Sequence, residues 1–156
     1  MDNALHLWDF DETLARSCEA VDALKALHPG VPTWKFWHDA TLSSAAAANT
    51  APIVAMWDRL AATPGEHRIL TGRCAAAVHA WLALHPCYAA LLSGVASTSE
   101  PATKHLITAV KKASYVAPLV ASGRTVIFYD DSPLNVSHVA ATGATALLVV
   151  DGAVTR

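Results

Sequence analysis

Short apolar runs alternate with helical segments along this chain, and that alternation limits its fold more than any other feature. The strand-like runs cover residues 4 to 9, 67 to 71, 89 to 93, 125 to 131 and 144 to 150. Helical segments separate them, at 15 to 28, 52 to 62, 73 to 84, 101 to 116 and 134 to 143. Strands that alternate with helices form a mostly parallel sheet with helices on both faces. The sequence therefore predicts a three-layer α/β/α fold of about five strands.

Length and composition bound the class of protein. The 156 residues, 53% of them hydrophobic, suit one domain with a real core, and we expect residues 1–156 to form that domain. No apolar stretch reaches the roughly 18 residues of a membrane span, and the start lacks the basic region of a signal peptide. Three cysteines without close pairing are typical of a reducing compartment. We expect a soluble, cytoplasmic protein, whose net charge of −2 gives no general attraction to nucleic acid.

Polar side chains gather where the predicted strands end. In open parallel sheets, ligands bind outside the carboxyl ends of the strands. The first strand ends in Asp9 and Asp11, the second in Thr71, Gly72 and Arg73, and the fourth in Asp130 and Asp131, while Lys104 lies early in the helix after the third. These side chains are predicted to meet in one site.

The carboxylates of this predicted site suit phosphoryl chemistry. Asp9, Asp11 and Asp130, with Asp131 as a fourth candidate, offer the hard oxygen ligands that Mg²⁺ prefers. With Mg²⁺ shielding an incoming phosphate, Asp9 can attack phosphorus as a nucleophile and form an aspartyl-phosphate. Asp11 can protonate the leaving alcohol and later activate water.

The remaining polar groups would bind and neutralise the phosphate. Thr71 and the Gly72 amide can donate hydrogen bonds to its oxygens, and Lys104 can neutralise the charge that builds on the transferring group. Lys111 and Lys112 are alternatives to Lys104. Arg73 either binds substrate or pairs with a carboxylate.

Four segments of the chain resemble, in order, the four motifs of the haloacid dehalogenase (HAD) superfamily. They are DFDET (9 to 13), ILTGR (69 to 73), Lys104 and FYDDS (128 to 132). The resemblance implies a Rossmann-like fold with strand order 3-2-1-4-5 and Mg²⁺-dependent phosphoryl chemistry. Dehalogenase members lack an acid at the position of Asp11, whereas phosphatases and phosphotransferases carry one there.

A finer resemblance concerns the substrate. The segments 34 to 44, 97 to 106 and 128 to 139 look like the small HAD domains of the Swiss Army Knife RNA-repair type, which implies action on RNA or DNA ends. DETL and VIFYDDSP are also similar to segments of the small C-terminal-domain protein phosphatases, although those proteins carry a different second motif. A phosphoprotein substrate is therefore the alternative.

Residues 28 to 52 are predicted to be a long irregular excursion, and any cap over the site must come from residues 14 to 52. Lys104 lies 33 positions after Thr71 (104 − 71), and one helix and one strand occupy most of that stretch, so we expect a minimal cap or none. An open site favours a macromolecular substrate. Trp37 in the excursion either stacks on a base of the substrate or pins the loop to the core.

Two other functional classes compete with an enzyme. A non-catalytic HAD-like binding module would have lost Asp9 or Asp11, and both are present. A response-regulator receiver domain carries its acidic pair on the first strand and its phosphorylated aspartate on the third, whereas here the second acidic pair follows the fourth. The sequence predicts a phosphatase.

Overall fold

The fold is built on a parallel sheet with helices on both faces. A computed structural model describes residues 4–99 and 105–155. The strands are β1 (Leu5–Trp8), β2 (Ala15–Arg16), β3 (Ala51–Pro52), β4 (Glu66–Thr71), β5 (Gly94–Ser97), β6 (Val126–Asp130), β7 (Thr145–Val150) and β8 (Ala153–Thr155). The helices are α1 (Cys18–Leu27), α2 (Lys35–His38), α3 (Ala40–Ala48), α4 (Val54–Ala62), α5 (Ala75–Leu84), α6 (Pro86–Ala89), α7 (His105–Ala121) and α8 (Pro133–Ala140).

The main sheet has the order β5-β4-β1-β6-β7-β8, and all pairs are parallel except β7 with β8. Its five parallel strands confirm the predicted order 3-2-1-4-5. The sixth strand, β8, was not predicted from the sequence, because three residues after a turn give too short an alternating pattern. The first strand lies in the middle, so the polar residues after β1 face those after β4 and β6.

Side chains of the central strand alternate between two apolar layers, as period-2 geometry requires. Leu5 and Leu7 pack beneath α7 and α8, together with Val116 and Val139. Trp8 points to the other face, where α4 and α5 cover it. Both faces of the sheet are therefore buried, which fixes the register of β1 and holds the residues that follow it in place.

Two sequence predictions were wrong in detail. The third parallel strand is Gly94–Ser97, not 89 to 93, because the apolar residues before it continue from α6 into a turn. The stretch from 28 to 52 is not irregular, since it forms α2 and α3. Asp39 begins α3 by accepting hydrogen bonds from the backbone N–H groups of Thr41 and Leu42.

Residues 17 to 50 form a small helical insert between the two strands of a short antiparallel ribbon, β2 and β3. Val21, Phe36 and Ala46 form the insert's own small core. Helix α3 packs against α5 of the main domain. The cap is thus minimal, as expected, and it is joined to the main core. Among the described residues, no helix is both long and apolar enough to cross a bilayer.

Candidate active site

A buried lysine joins two aspartates at the carboxyl edge of the sheet. Lys112 Nζ on α7 donates to Asp9 Oδ1 at 2.6 Å and to Asp130 Oδ2 at 2.7 Å. Asp9 follows β1 and Asp130 ends β6, which are neighbouring strands. Asp130 is fully buried, and Asp9 and Lys112 are nearly so. The predicted meeting of the first and fourth strand ends is therefore present.

The Asp130 carboxylate is held on every side. Ser132 N–H donates to its Oδ1 at 2.8 Å, and Asn135 Nδ2 lies 3.0 Å from each carboxylate oxygen. Ser132 also accepts from the Asn135 N–H and so begins α8. Asn135 was not singled out in the sequence; its position one turn into a helix that follows an acidic pair was the available signal.

Burial and charge act against each other at this ion-paired group. Burial raises the pKa of Asp9 well above its ordinary value, Lys112 opposes the rise, and Asp130, Asp11 and Asp131 add to it. Burial alone would lower the pKa of Lys112, but Asp9 and Asp130 raise it above its usual range. One lysine therefore stays charged without compensating all the acids near it.

Three carboxylates are close enough to share one cation. Ligand oxygens of Asp9, Asp130 and Asp131 lie within 4.8 Å of one another. Burial, followed by the charge of Asp130, raises the pKa of Asp131 from 3.8 to about 7. A bound divalent cation would oppose this rise in the pKa of Asp131, because it favours the charged form of each ligand. The chemistry of these donors fits Mg²⁺.

Asp11 faces the same edge but pairs with another cation. Arg73 Nε donates to Asp11 Oδ1 at 2.9 Å. Among the described residues, the Asp11 side chain is not part of the group of three that could share a cation. The metal-binding role predicted for Asp11 stays a prediction, as does its role as proton donor.

Glu12 uses its carboxylate for structure. The residue has a φ of 55°, and its Oε1 accepts hydrogen bonds from the N–H groups of Ser17 and Cys18, at 2.7 and 2.8 Å. These donors stand at the beginning of α1, where N–H groups lack partners within the helix. Glu12 therefore fastens the insert to the loop that carries Asp9 and Asp11.

The second motif contributes Gly72 to the lining of the site, and its Thr71 holds the backbone of Arg73. Gly72 lines the site, and a Cβ there would come within 2.9 Å of Thr108 on α7, so close approach requires glycine. Thr71 is fully buried, and its hydroxyl accepts from the Arg73 N–H at 2.9 Å. The predicted contact between Thr71 and a phosphate stays a prediction.

One cavity of about 460 Å³ joins the strand ends to the insert. It is lined by Asp9, Asp11, Glu12, Cys18, Thr33, Trp34, Trp37, His38, Gly72, Arg73, Thr108, Lys112, Asp131 and Asn135. The predicted residues Asp9, Asp11, Gly72, Arg73, Trp37 and Asp131 thus share a single cavity, with Asp130 behind it. The insert contributes the aromatic side chains Trp34 and Trp37 to the lining. The sequence had left open whether Trp37 lies at the site or against the core.

The lysine of the site is Lys112, one of the two alternatives to Lys104. Lys104 itself lies outside the described residues. Lys112 stands two turns into α7, which begins at His105. The choice between lysines on one helix depends on where that helix begins and on which face meets the sheet, and the sequence pattern settles neither point.

No protein-family profile and no curated protein sequence matches this chain. Solved structures do. The L-2-haloacid dehalogenase of Xanthobacter autotrophicus is 16% identical, with a TM-score of 0.61 over 94% of this chain and 76% of the other. A candidate phosphoglycolate phosphatase of Lactobacillus plantarum is 14% identical, with a TM-score of 0.64 over 97% and 88%.

A HAD-like hydrolase family protein of Streptococcus pneumoniae gives a similar result, with 14% identity, a TM-score of 0.62 and coverage of 96% and 85%. At this level of identity the likeness concerns the fold. The chain has the fold of the HAD hydrolases.

Proposed function

We propose that this protein is a Mg²⁺-dependent phosphomonoesterase of the HAD type that works through an aspartyl-phosphate on Asp9. The observation that carries the proposal is the position of Asp9, which lines the cavity while Lys112 Nζ holds its Oδ1 at 2.6 Å. A carboxylate fixed by a buried cation is oriented to act as a nucleophile. The similar structures include both a candidate phosphatase and a dehalogenase.

The reaction uses the two aspartates of the first motif in turn. An oxygen of Asp9 attacks phosphorus while the bond to the leaving alkoxide breaks, and protonated Asp11 gives that alkoxide its proton. Water then attacks the phosphorus of the aspartyl-phosphate, and Asp11 takes a proton from the water. Inorganic phosphate leaves, and the Asp9 carboxylate is restored.

Asp9, Asp130 and Asp131 would hold the magnesium ion, because their oxygens lie within 4.8 Å of one another. When bound, Mg²⁺ supplies positive charge that lets an anionic phosphate approach carboxylates. Lys112, paired with both Asp9 and Asp130, offsets the repulsion between these two carboxylates. A phosphate can therefore bind beside Asp9 without being repelled by the carboxylates of the cavity.

Asp11 favours a phosphate ester over an organic halide. An alkoxide leaving group needs a proton, whereas a halide ion leaves without one. Asp11 lines the cavity two residues beyond the nucleophile, where it can supply that proton. This argument supports phosphatase rather than dehalogenase activity.

The cavity supports a small phosphomonoester as the substrate. Its volume of about 460 Å³ lies within the roughly 300–1,000 Å³ of small-molecule sites. Lys112 and Arg73, the lysine and the arginine of its lining, are both paired with carboxylates. A polyanionic nucleic acid needs cations that are free to contact its phosphates. RNA or DNA ends and phosphoprotein remain predictions from the sequence resemblance, and they enter the test as competing substrates.

The first experiment measures phosphate release with and without Mg²⁺. The panel holds p-nitrophenyl phosphate, small sugar and nucleoside phosphates, oligonucleotides with 3′- or 5′-phosphates, a phosphopeptide and 2-chloropropionate. We expect release from small phosphomonoesters that needs Mg²⁺ and stops with EDTA. Full activity in EDTA, or chloride release without phosphate release, would contradict the proposal, and a preference for oligonucleotides would reverse the substrate class.

A second experiment separates the two aspartates. Asp9→Asn should abolish turnover and the acid-stable phosphoenzyme, because the nucleophile is gone. Asp11→Asn should still transfer the phosphoryl group of p-nitrophenyl phosphate to Asp9, because that leaving group needs little protonation, but it should slow the hydrolysis of the phosphoenzyme. Asp58→Asn, at an exposed position on α4, is the matched control and should behave as wild type. Wild-type rates in Asp9→Asn would refute the assigned nucleophile.

A further inference from the structure

Arg73 occupies the junction between the first motif and the helical insert. Its side chain is fully buried, although it carries a full charge. Nε donates to Asp11 Oδ1 at 2.9 Å, and Nη1 donates to the backbone oxygen of Ser43 on α3 at 3.2 Å. The guanidinium group also lies 4.7 Å from the centre of the Trp37 ring on α2. One side chain therefore touches the predicted proton donor and two helices of the insert.

The backbone that carries Arg73 is itself fixed. The Arg73 N–H donates to the Thr71 hydroxyl at 2.9 Å, and Ser97 Oγ donates to the Arg73 carbonyl oxygen at 2.7 Å. These bonds tie the residue to the ends of β4 and β5. A planar guanidinium on a fixed base presents its donors in a set direction, which a flexible ammonium cannot do.

The part of the insert that contacts Arg73 is itself held by hydrogen bonds. The Cys74 N–H donates to the Trp37 carbonyl oxygen at 2.9 Å, and Ser43 Oγ donates to the same oxygen at 3.1 Å. Trp37 and Ser43 are thus held to each other and to the main domain. The guanidinium group of Arg73 covers one face of the Trp37 ring. Trp37 is therefore buried in part by its packing against Arg73.

We infer that Arg73 is a positioning residue that couples the helical insert to the proton donor Asp11; this inference rests on the proposed function. Arg73 acts on the reaction through Asp11, whose Oδ1 accepts a hydrogen bond from Arg73 Nε. It sets the direction of the Asp11 carboxyl, and the insert sets the direction of Arg73. Protonation of the leaving group therefore depends on the insert as well as on the first motif.

Leaving-group dependence separates this role from simple stabilisation. General acid catalysis contributes about 10²–10⁴-fold where the leaving group needs a proton. Loss of Arg73 should therefore reduce kcat/KM with an alkyl phosphate far more than kcat/KM with p-nitrophenyl phosphate. We compare kcat/KM because it covers the steps up to departure of the leaving group, whereas kcat also includes hydrolysis of the phosphoenzyme, which is common to both substrates. A residue that only stabilises the fold would lower both rates by the same factor, through the fraction of folded enzyme.

The test compares Arg73→Gln, Arg73→Lys and Trp37→Leu with wild type on both substrates in saturating Mg²⁺. For Arg73→Gln we expect the ratio of kcat/KM for the alkyl phosphate to kcat/KM for p-nitrophenyl phosphate to fall about tenfold to a hundredfold. Arg73→Lys should lower the ratio less than Arg73→Gln does, because lysine keeps the positive charge but lacks the planar guanidinium group. Trp37→Leu should lower it in the same direction by a smaller factor.

Arg68→Gln is the matched control. Arg68 Nε donates to Glu66 Oε1 at 2.7 Å at the other edge of the sheet, so it is also an arginine–carboxylate pair. Its ratio should equal that of wild type. Equal losses on both substrates in all three junction variants would overturn the inference, and the two variants that keep Arg73 or its charge decide the matter if Arg73→Gln does not fold.

The outcomes for the two proposals are distinct. A wild-type protein that hydrolyses neither phosphate ester would refute the proposed function, and the inference would fall with it. A wild-type protein that hydrolyses both, with an unchanged ratio in the junction variants, would refute the inference alone.

Discussion

Charged side chains cluster at both edges of the sheet, and the two clusters differ in balance. At the amino edge, Glu66 accepts from Arg68 Nε, from Arg124 Nη2 and from the Ser93 hydroxyl. At the carboxyl edge, four carboxylates line one cavity with only one lysine and one arginine among the described lining residues. The first cluster has two cations for one acid, and the second has an excess of acid.

The pKa shifts of the two clusters run in opposite directions. Hydrogen bonds from Arg124 and Ser93 lower the pKa of Glu66 from 4.5 to about 2. Burial and the charge of Asp130 raise the pKa of Asp131 to about 7. The amino edge is therefore satisfied by its own residues and stabilises the fold. The carboxyl edge is incomplete by itself, which is what a site for a cation and an anion requires.

Removal of Lys112 should break the comparison most strongly. Lys112→Met leaves Asp9 and Asp130 buried without their cation, and loss of one partner of a buried ion pair costs about 3–5 kcal/mol. Urea denaturation in EDTA would measure the free energy of unfolding. Arg124→Gln at the amino edge is the control and should cost less than about 1 kcal/mol. Similar losses in the two variants would show that the edges do not differ as described.

Mg²⁺ should stabilise the protein through the carboxyl edge alone. A ligand at a hundred times its Kd adds about 2.7 kcal/mol to the free energy of unfolding. Thermal denaturation with and without Mg²⁺ should show this gain in wild type and in Glu66→Gln, and little of it in Asp131→Asn. A gain that survives in Asp131→Asn would remove Asp131 from the metal site.

Asp131→Asn should stabilise the metal-free protein at high pH. The folded pKa of about 7 lies above the ordinary value of 3.8, so the wild-type group favours folding below 3.8 and loses that contribution as the pH rises through 7. We expect the variant to gain about 1–2 kcal/mol at pH 8, after allowance for the carboxyl's partial exposure, and nothing at pH 4. Chemical denaturation at both values in EDTA would measure it, and a pH-independent difference would contradict the assignment.

Glu66→Gln should have the smallest effect and the opposite pH dependence. Because the folded pKa of about 2 lies below the ordinary 4.5, the stabilisation is complete above 4.5 and is lost as the pH falls toward 2. The pair is partly exposed, so the loss at neutral pH should be at most about 1 kcal/mol. Denaturation at pH 7 and pH 3 would test it. A destabilisation that grows on acidification would contradict this sign.

Much of the fold follows from the sequence, because each parallel strand is a compact apolar run and ends at a polar residue. Asp9, Arg73 and Asp131 were assigned to one site because the carboxyl ends of adjacent strands must meet. The strand Gly94–Ser97 was misplaced, since its four residues carry a weaker apolar signal than the turn before them. Lys112 was left as an alternative, because helical phase relative to the sheet is a tertiary property.

The insert was the hardest part to predict. Its alanine-rich α3 has apolar residues on all sides and therefore no clear periodicity to mark a buried face. Its contacts with Arg73 involve the backbone oxygen of Ser43, which any residue type offers equally. Such a contact cannot be predicted from the type of residue at position 43.

The paired ends of the insert make it exchangeable. Ala15 pairs with Pro52 and Arg16 with Ala51, so the chain leaves the main domain and returns to it at adjacent positions. A segment joined in this way can lengthen, shorten or be replaced without moving the strands on either side. Substitutions in the insert can therefore change the lining of the cavity while the carboxylates at the strand ends stay unchanged. Any replacement would still have to place a hydrogen-bond acceptor at the position where the Ser43 carbonyl oxygen now accepts from Arg73.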